Sequence, residues 1–256
     1  MYKNKKIAVV IRAFNEEKFI SLVVNSIPDF VDRIYVVNDA STDRTFEILS
    51  SQCQRENRLS IITNKIRMGA GAAGITGLKQ ALQEDADILA MIDGDGQMTP
   101  SILYRFLDPL VSGKGDYTKG NRFSQREHWK EMPVWRAFGN ILLTKLTRLA
   151  SGYWHISDPQ NGYIAICKET LIKIDLDKIN KGYAFENDML VKLNVVGAKV
   201  LDIPHPAVYQ GQHSKIIYPS FMLKTSWLLL RDFAWRINIQ YLQKRKAKLK
   251  KQVNRH

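Results

Sequence analysis

Four short runs rich in β-branched and aliphatic residues, "IAVVI" from residue 7, "RIYVVN" from 33, "LSIIT" from 59 and "ADILAMID" from 86, are separated by segments of helical length. The separating segments read "EEKFISLVVNSI", "TDRTFEILSSQC" and "GAGAAGITGLKQALQE". Apolar runs with little polar alternation are buried on both faces, so the rhythm predicts a parallel sheet covered by helices on each side. A doubly wound, mainly parallel α/β fold follows, and such sheets bind ligands beyond the carboxyl ends of their strands. Those ends are polar each time: "RAFNE" at 12, "NDAS" at 38, "NKIR" at 64 and "DGDGQ" at 93.

Beyond residue 100, "DYTKGNRF" predicts a strand ending in a polar turn and "VWRAFGNILLTKLTRLA" an amphipathic helix. "NGYIAICKETL" reads as a strand running into a helix, "AFENDMLVKLNVVG" as a helix closed by Gly197, and "AKVLDIP" as a further strand. No repeat or low-complexity linker divides these elements, which predicts one domain with a tail.

From residue 219 the character changes. Leu223, Trp227, Leu230, Ala234, Ile237 and Tyr241 step by four and three, with Lys224, Arg231 and Asn238 on the opposite side, as in an amphipathic helix. The formal net charge is +13, and the closing stretch "QKRKAKLKKQVNRH" supplies seven Lys or Arg with no acid. Such an excess points to an anionic partner. Tryptophans, an apolar face and a basic block suit a helix lying in an anionic membrane interface. The competing reading is a helix packed on the protein's own core with a solvated basic end. A nucleic-acid partner is not expected, because no aromatic platform or known motif accompanies the charge.

No segment reaches the roughly 18 uninterrupted apolar residues of a membrane span, and the apolar run before Arg12 is too short for a signal-peptide core. Cys53 and Cys167 lie far apart without metal-ligand spacing, so neither a disulfide framework nor a zinc site is indicated and a cytoplasmic setting is expected.

"DGDGQ" admits three readings: a surface turn, the nucleophile loop of an Asp-x-Asp phosphatase, or a metal seat. A phosphatase loop needs Thr or Val two positions after the second Asp, where Gln97 stands. As a metal seat, Asp93, Asp95 and the amide oxygen of Gln97 present hard oxygen ligands to Mg²⁺ or Mn²⁺, and the cation offsets the repulsion of the paired carboxylates. "GAGAAG" at 69 matches a dinucleotide fingerprint, but "NKIRM" separates it from its strand. The alternative is a glycine-rich helix start whose N–H groups approach a phosphate or a sugar.

Taken together these segments resemble glycosyltransferase family 2, with its GT-A fold, and within it the polyprenyl-phosphate sugar transferases similar to dolichyl-phosphate mannose synthases. "IRAFNEE" is similar to that family's Ile-Pro-Ala-x-Asn-Glu segment, with Arg12 in place of the proline. "VVNDASTDRT", "RMGAGAAGITGL", "DGDGQ", "GNRF", "DPQNGY", "FENDML" and "HSKI" resemble its later segments, in order, across about residues 7 to 215.

The resemblance implies that Ala13, Glu16 and Asp39 hold the base and ribose of a nucleotide-diphosphate sugar, while Asp93, Asp95 and Gln97 hold the metal and the donor diphosphate. Lys215 would reach the donor phosphates. Arg122 and Arg136 would face an acceptor phosphate, a role that guanidinium geometry suits. The implied reaction is displacement at the anomeric carbon with inversion. Asp188 sits where the family places a base, which a sugar hydroxyl needs and a lipid phosphate does not. Two acceptors therefore stay open at this point: a polyprenyl phosphate at the cytosolic membrane face, or a hydroxyl of a glycan or lipid-linked oligosaccharide with Asp188 as base. Residues 1–215 are expected to form the GT-A domain and 216–256 a basic extension on the membrane surface.

Overall fold

The computed structural model describes residues 1–124, 134–206 and 218–253. Strands β1 (Ile7–Ala13), β2 (Arg33–Asn38), β3 (Leu59–Thr63) and β4 (Ile88–Asp93) fall on the four apolar runs, with helices α1 (Ile20–Asn25), α2 (Thr45–Cys53) and α3 (Ala70–Gln83) between them. Then follow α4 (Tyr104–Val111), β5 (Tyr117–Asn121), α5 (Val134–Ser151), β6 (Ile164–Cys167), α6 (Lys168–Leu171), α7 (Phe185–Val195), β7 (Val200–Pro204) and α8 (Tyr218–Val253).

The strands form a seven-stranded sheet in the order β3-β2-β1-β4-β6-β5-β7. Strands β1 to β4 pair in parallel, as do β5 and β7. Strand β6 runs antiparallel to both of its neighbours, β4 and β5. It therefore enters the sheet beside the carboxyl end of β4 and brings the preceding segment, Asp158 to Tyr163, to that end.

Both faces of the sheet are covered. Ile7, Val9 and Ile11 of β1 pack with Ile20, Val24, Leu49 and Phe106 on one side, while Ala8 and Val10 pack with Leu78, Phe185 and Met189 on the other. This double burial is why the strands read as continuous apolar runs; each enclosed aliphatic side chain contributes about 1.5–3 kcal/mol.

The glycines of α3 serve this packing. A Cβ at Gly77 would lie 2.3 Å from Val10 Cγ1, one at Gly74 2.8 Å from Met91 Sδ, and one at Gly71 2.6 Å from the Asn180 carbonyl oxygen. Gly69 has φ +100°, a conformation that side chains rarely adopt. Several N–H groups at this helix start have partners within the protein. Met68 and Gly69 donate to Asp39 at 2.8 and 2.7 Å, and Ala72 donates to the Lys181 carbonyl at 2.9 Å. The glycine-rich segment thus fits α3 tightly to the sheet and to the 180–182 loop.

Helix α8 packs on α5 and α7. Leu229 joins Leu143, Ala150 and Val191 in a small apolar cluster, and Thr225, Asp232 and Arg236 are buried beside it. Arg236 donates through Nε to the Ala150 carbonyl at 2.7 Å and through Nη2 to that of Leu149 at 3.1 Å, placing a cation on the last carbonyls of α5. The apolar stripe legible in the sequence faces outward: Leu223 and Trp227 are 75% and 73% exposed, and Leu230, Ile237 and Tyr241 are exposed as well. The stripe is not what holds α8 to the domain.

Candidate active site

The chain winds from β1 through β2 to β3 on one side and places β4 on the other, so its switch point lies between β1 and β4. At their carboxyl ends Arg12 and Asp93 are register partners. The Arg12 guanidinium is 7% exposed; its Nε and Nη2 each lie 2.7 Å from Asp93 Oδ1, and its Nη1 lies 2.7 Å from Oε1 of Glu186, in the first turn of α7.

The turn that follows β4 is held by its own backbone. Gly94 donates to the Arg12 carbonyl at 2.9 Å, Gly96 turns at φ +76° against Phe19, and Gln97 donates its N–H to Asp95 Oδ1 at 3.0 Å. Burial, then the charge of Asp93, with a further contribution from Glu16, pushes the Asp95 carboxyl up to about 7 despite the opposing charge of Arg12. Glu16, Asp93, Asp95 and Glu186 thus share this corner with the Arg12 guanidinium, leaving a surplus of negative charge and hard oxygen donors. That donor set fits a divalent cation such as Mg²⁺ or Mn²⁺. No group of three His, Cys, Asp or Glu among the described residues is arranged to hold a metal unaided. Asp95 and Gln97 could supply part of a coordination shell that water and a diphosphate complete.

The loops after β1 and β2 are laced together. Ala13 is buried, and its carbonyl accepts from Asp39 N–H at 2.9 Å. Asn15 and Glu16 donate their N–H groups to the hydroxyls of Ser41 and Thr45 at 3.0 and 2.8 Å. Asp39 is buried, and besides Met68 and Gly69 it accepts from Asn64 Nδ2 at 2.7 Å, so its carboxylate fixes the loop that opens α3. Next to it a cleft of about 560 Å³ opens between Asn38, Ser41, Thr42, Phe46 and Asn64. Arg67 stacks its guanidinium over Phe14, 4.0 Å from the ring centre.

On the far side, Arg122 follows β5 and grips Asp158 with two hydrogen bonds, Nε to Oδ2 at 2.7 Å and Nη2 to Oδ1 at 3.0 Å. Burial alone would raise the Asp158 carboxyl, but the charge and hydrogen bonds of Arg122, with Lys119, hold it below the usual carboxylate range. Lys119 is wholly buried, donates to the Asn161 carbonyl at 2.6 Å, and is pushed down to about 8 by that burial against the pull of Glu186, Asp158 and Asp202. Arg122 therefore arrives pre-oriented, with its side chain 24% exposed.

Asp188 is not brought to the Asp93–Asp95 turn. It is fully buried on the side of α7 that meets α8; Oδ2 accepts from Asn180 N–H at 2.7 Å, and Oδ1 lies 3.1 Å from Lys192 Nζ. Burial and the charge of Asp232 push its carboxyl up to about 6. The carboxylate is enclosed, with Asn180 and Lys192 against it, and the described contacts bring no acceptor-facing role to it. Glu186, two residues earlier, is the α7 acid that reaches the site, through Arg12. Arg136 belongs to α5, but its side chain lies outside the described residues, as do His213 and Lys215 entirely.

Arg12, Asp158 and Glu186 carry much of this geometry and were assigned no role from sequence alone. Arg12 was visible as a cation replacing a proline at a strand end, and Asp158 and Glu186 lie inside the motifs "DPQNGY" and "FENDML".

A doubly wound sheet with an acidic turn at its switch point defines a class of nucleotide-binding α/β enzymes, and comparison with known proteins narrows it. The fold is that of glucosyl-3-phosphoglycerate synthase from Mycobacterium tuberculosis, solved in complex with Mn²⁺, uridine diphosphate and phosphoglyceric acid. The match has a TM-score of 0.64 at 20% identity, over 91% of this chain and 78% of that one. Residues 8–175 match the family described as Glycosyl transferase family 2, and the chain belongs to it as a glycosyltransferase of GT-A fold. The UDP-N-acetylglucosamine–dolichyl-phosphate N-acetylglucosaminyltransferase of Methanococcus voltae is 29% identical over 88% of this chain and 99% of its own length. The undecaprenyl-phosphate mannosyltransferase of Micrococcus luteus is 27% identical over 78% of this chain and 82% of its own. No helix among the described residues is long and apolar enough to cross a membrane.

Proposed function

We propose that the protein transfers a hexose from a nucleotide-diphosphate sugar to a polyprenyl phosphate at the cytosolic face of a membrane, with inversion at the anomeric carbon. The observation that carries this reading is the outward apolar face of α8. Leu223, Trp227, Leu230, Ile237 and Tyr241 form an exposed stripe on a helix already anchored by other residues, which suits contact with a bilayer where a lipid acceptor resides. The two relatives named above, which act on dolichyl and undecaprenyl phosphates, support it.

In this reading Asp95 and Gln97 hold Mg²⁺ or Mn²⁺ at the donor diphosphate, Arg12 holds Asp93 in place, and Glu16 and the β1–β2 loops border the nucleotide. The cation, when bound, neutralises the charge that develops on the leaving diphosphate. Arg122, fixed by Asp158, attracts and orients an acceptor phosphate, a role shared with Arg136, and Lys215 serves the donor phosphates. An acceptor phosphate is already anionic and needs no base, which accords with the enclosure of Asp188. Residues 1–215 form the catalytic unit, and 216–256 the membrane-surface extension.

Incubating the protein with labelled UDP- and GDP-sugars, Mn²⁺ or Mg²⁺ and polyprenyl phosphate tests the proposal. Label should pass into an organic-solvent-soluble, metal-dependent product. Label appearing only on oligosaccharide acceptors would refute it.

A further inference from the structure

Behind Arg122 lies a buried chain of polar side chains. His205 follows β7, is 3% exposed, and meets Tyr163 edge to face with ring centres 5.6 Å apart. Its Nδ1 lies 2.8 Å from the Pro206 carbonyl oxygen, and its Nε2 lies 2.8 Å from Nδ2 of Asn161, which precedes β6. Asn161 Nδ2 also donates to Asp158 Oδ2 at 3.2 Å, the same oxygen that accepts from Arg122 Nε at 2.7 Å. Gly120 on β5 leaves room for this contact: a Cβ there would lie 2.7 Å from His205 Nε2 and 3.0 Å from Asn161 Oδ1.

The hydrogen positions follow from matching donors to acceptors. A carbonyl oxygen only accepts, so Nδ1 carries the imidazole hydrogen toward Pro206. Asn161 Oδ1 accepts the Tyr163 N–H at 2.8 Å, which turns the amide nitrogen toward His205 and Asp158. That nitrogen has two hydrogens and two acceptors in reach, and Nε2 is one of them. A second imidazole proton would set N–H against N–H across this contact, and turning the amide over would create the same conflict at Tyr163. Burial, joined by the charges of Arg122 and Arg105, holds the imidazole below its usual range, against the pull of the Pro206 carbonyl and Asp158.

We propose that His205 is a positioning residue for the acceptor phosphate: as the neutral Nδ1–H tautomer it holds Asn161, Asn161 holds Asp158, and Asp158 presents Arg122. The proposal rests on the acceptor reading of Arg122 given above. Its consequence is an acceptor site that depends on pH. Protonation of His205 drives the Asn161 N–H away from Nε2, disturbs Asp158 and loosens its pair with Arg122, so acceptor affinity falls as pH drops through the histidine titration. Lys119, which donates to the Asn161 carbonyl at 2.6 Å, and Asp202, which accepts from Asn121 Nδ2 at 2.9 Å, are further charged groups of the network. Both are retained when His205 is replaced, so a comparison with a His205 variant isolates the imidazole.

Heteronuclear NMR of the full chain tests the relay without any acceptor. His205 should show the Nδ1–H tautomer at about pH 7.5 and titrate below about 6.5, and the Arg122 Nε–H signal should move with the same midpoint. In His205→Gln, whose amide oxygen accepts at the Nε2 position and takes up no proton, that movement should vanish. An Nε2–H tautomer, or an Arg122 signal that does not follow His205, would overturn the proposal. Kinetics reads the consequence, with the two proteins compared because the acceptor phosphate takes up a proton in the same range. Between about pH 7.5 and about pH 5.5, KM for polyprenyl phosphate should rise at least about threefold more in the wild type than in His205→Gln. Equal rises would overturn the proposal. His205→Phe, which keeps a ring and removes the acceptor, should raise that KM about tenfold at about pH 7.5 and leave the donor KM unchanged. A rise shared by donor and acceptor would make His205 a structural residue only. Arg122→Gln separates the two readings: an unchanged acceptor KM in this variant refutes the acceptor reading, whereas a raised one beside an unchanged KM in folded His205→Phe refutes the role of His205 alone.

Discussion

Asp188 and Lys192, one turn apart on α7, form a buried ion pair of 3.1 Å, and the Lys192 ammonium rests 3.9 Å from the centre of the Trp235 ring on α8. The acid at the position where the family resemblance implies a base is thereby part of the joint between the catalytic domain and its outer helix. A positioned general base contributes about 10²- to 10⁴-fold to a rate. Asp188→Asn should therefore keep kcat with polyprenyl phosphate within about threefold of wild type, since no base is required of it. A fall of about a hundredfold or more, in a variant with native circular dichroism, would make Asp188 catalytic.

The same joint has a defined pH dependence. Burial and the neighbouring Asp232 raise the Asp188 carboxyl from 3.8 to about 6, so its contribution to folding is complete below 3.8 and is lost as pH rises through about 6. Asp232→Asn removes the neighbouring charge and should lower that pKa. The variant's Tm should fall less than the wild type's between about pH 4 and about pH 7.5. Superimposable profiles would show that the two acids do not interact.

Asp95→Ala should abolish metal-dependent turnover while leaving the fold intact. Hydrolysis of a labelled nucleotide sugar and transfer to lipid, measured across a Mn²⁺ titration, provide the readout. Full activity at any Mn²⁺ concentration would exclude Asp95 as the seat of the cation.

In the proposed function the exposed outer face of α8 contacts lipid and is not needed for packing. Trp227→Ser with Leu230→Ser should leave Tm nearly unchanged, because both side chains are exposed, and should weaken sedimentation with phosphatidylglycerol-containing vesicles about tenfold or more. Truncation after Tyr218 should abolish sedimentation altogether. Unchanged vesicle binding in both variants would assign the stripe to another purpose.

At the opposite extreme of burial, Gly77→Ala forces a methyl group toward Val10, where 2.3 Å separates the added carbon from Cγ1. Chemical denaturation should show a loss of about 1–3 kcal/mol. A neutral effect would mean that α3 can move off the sheet without cost.

Much of the fold was legible because both faces of the sheet are apolar. Strands β1 to β4 and the helices between them follow directly from runs such as "IAVVI" and "ADILAMID". The reversal of β6 was not legible, since "YIAIC" carries no mark of direction; only the pairing of Met91 with Ile164 reveals it. The inner face of α8 escaped for a related reason. Thr225, Asp232 and Arg236 are polar yet buried, Arg236 bonding the carbonyls of Leu149 and Ala150, while Leu223, Trp227 and Leu230 point out. Asp93 and Asp95 were legible as a pair, but the ion pair of Asp93 with Arg12 was not, because Arg12 is 81 residues away in the chain and adjacent only once β1 pairs with β4. Likewise the burial of Asp188 depends on α8, which lies beyond every motif that marked the site.

Acceptor choice is the central claim, and a competition measures it most directly. A polyprenyl phosphate and the free polyprenol of the same chain length are offered together to the enzyme with labelled donor and Mn²⁺. The proposed function predicts label on the phosphate alone, in a product that is metal-dependent and labile to mild treatment. Label on the polyprenol hydroxyl, at a comparable rate, would contradict it.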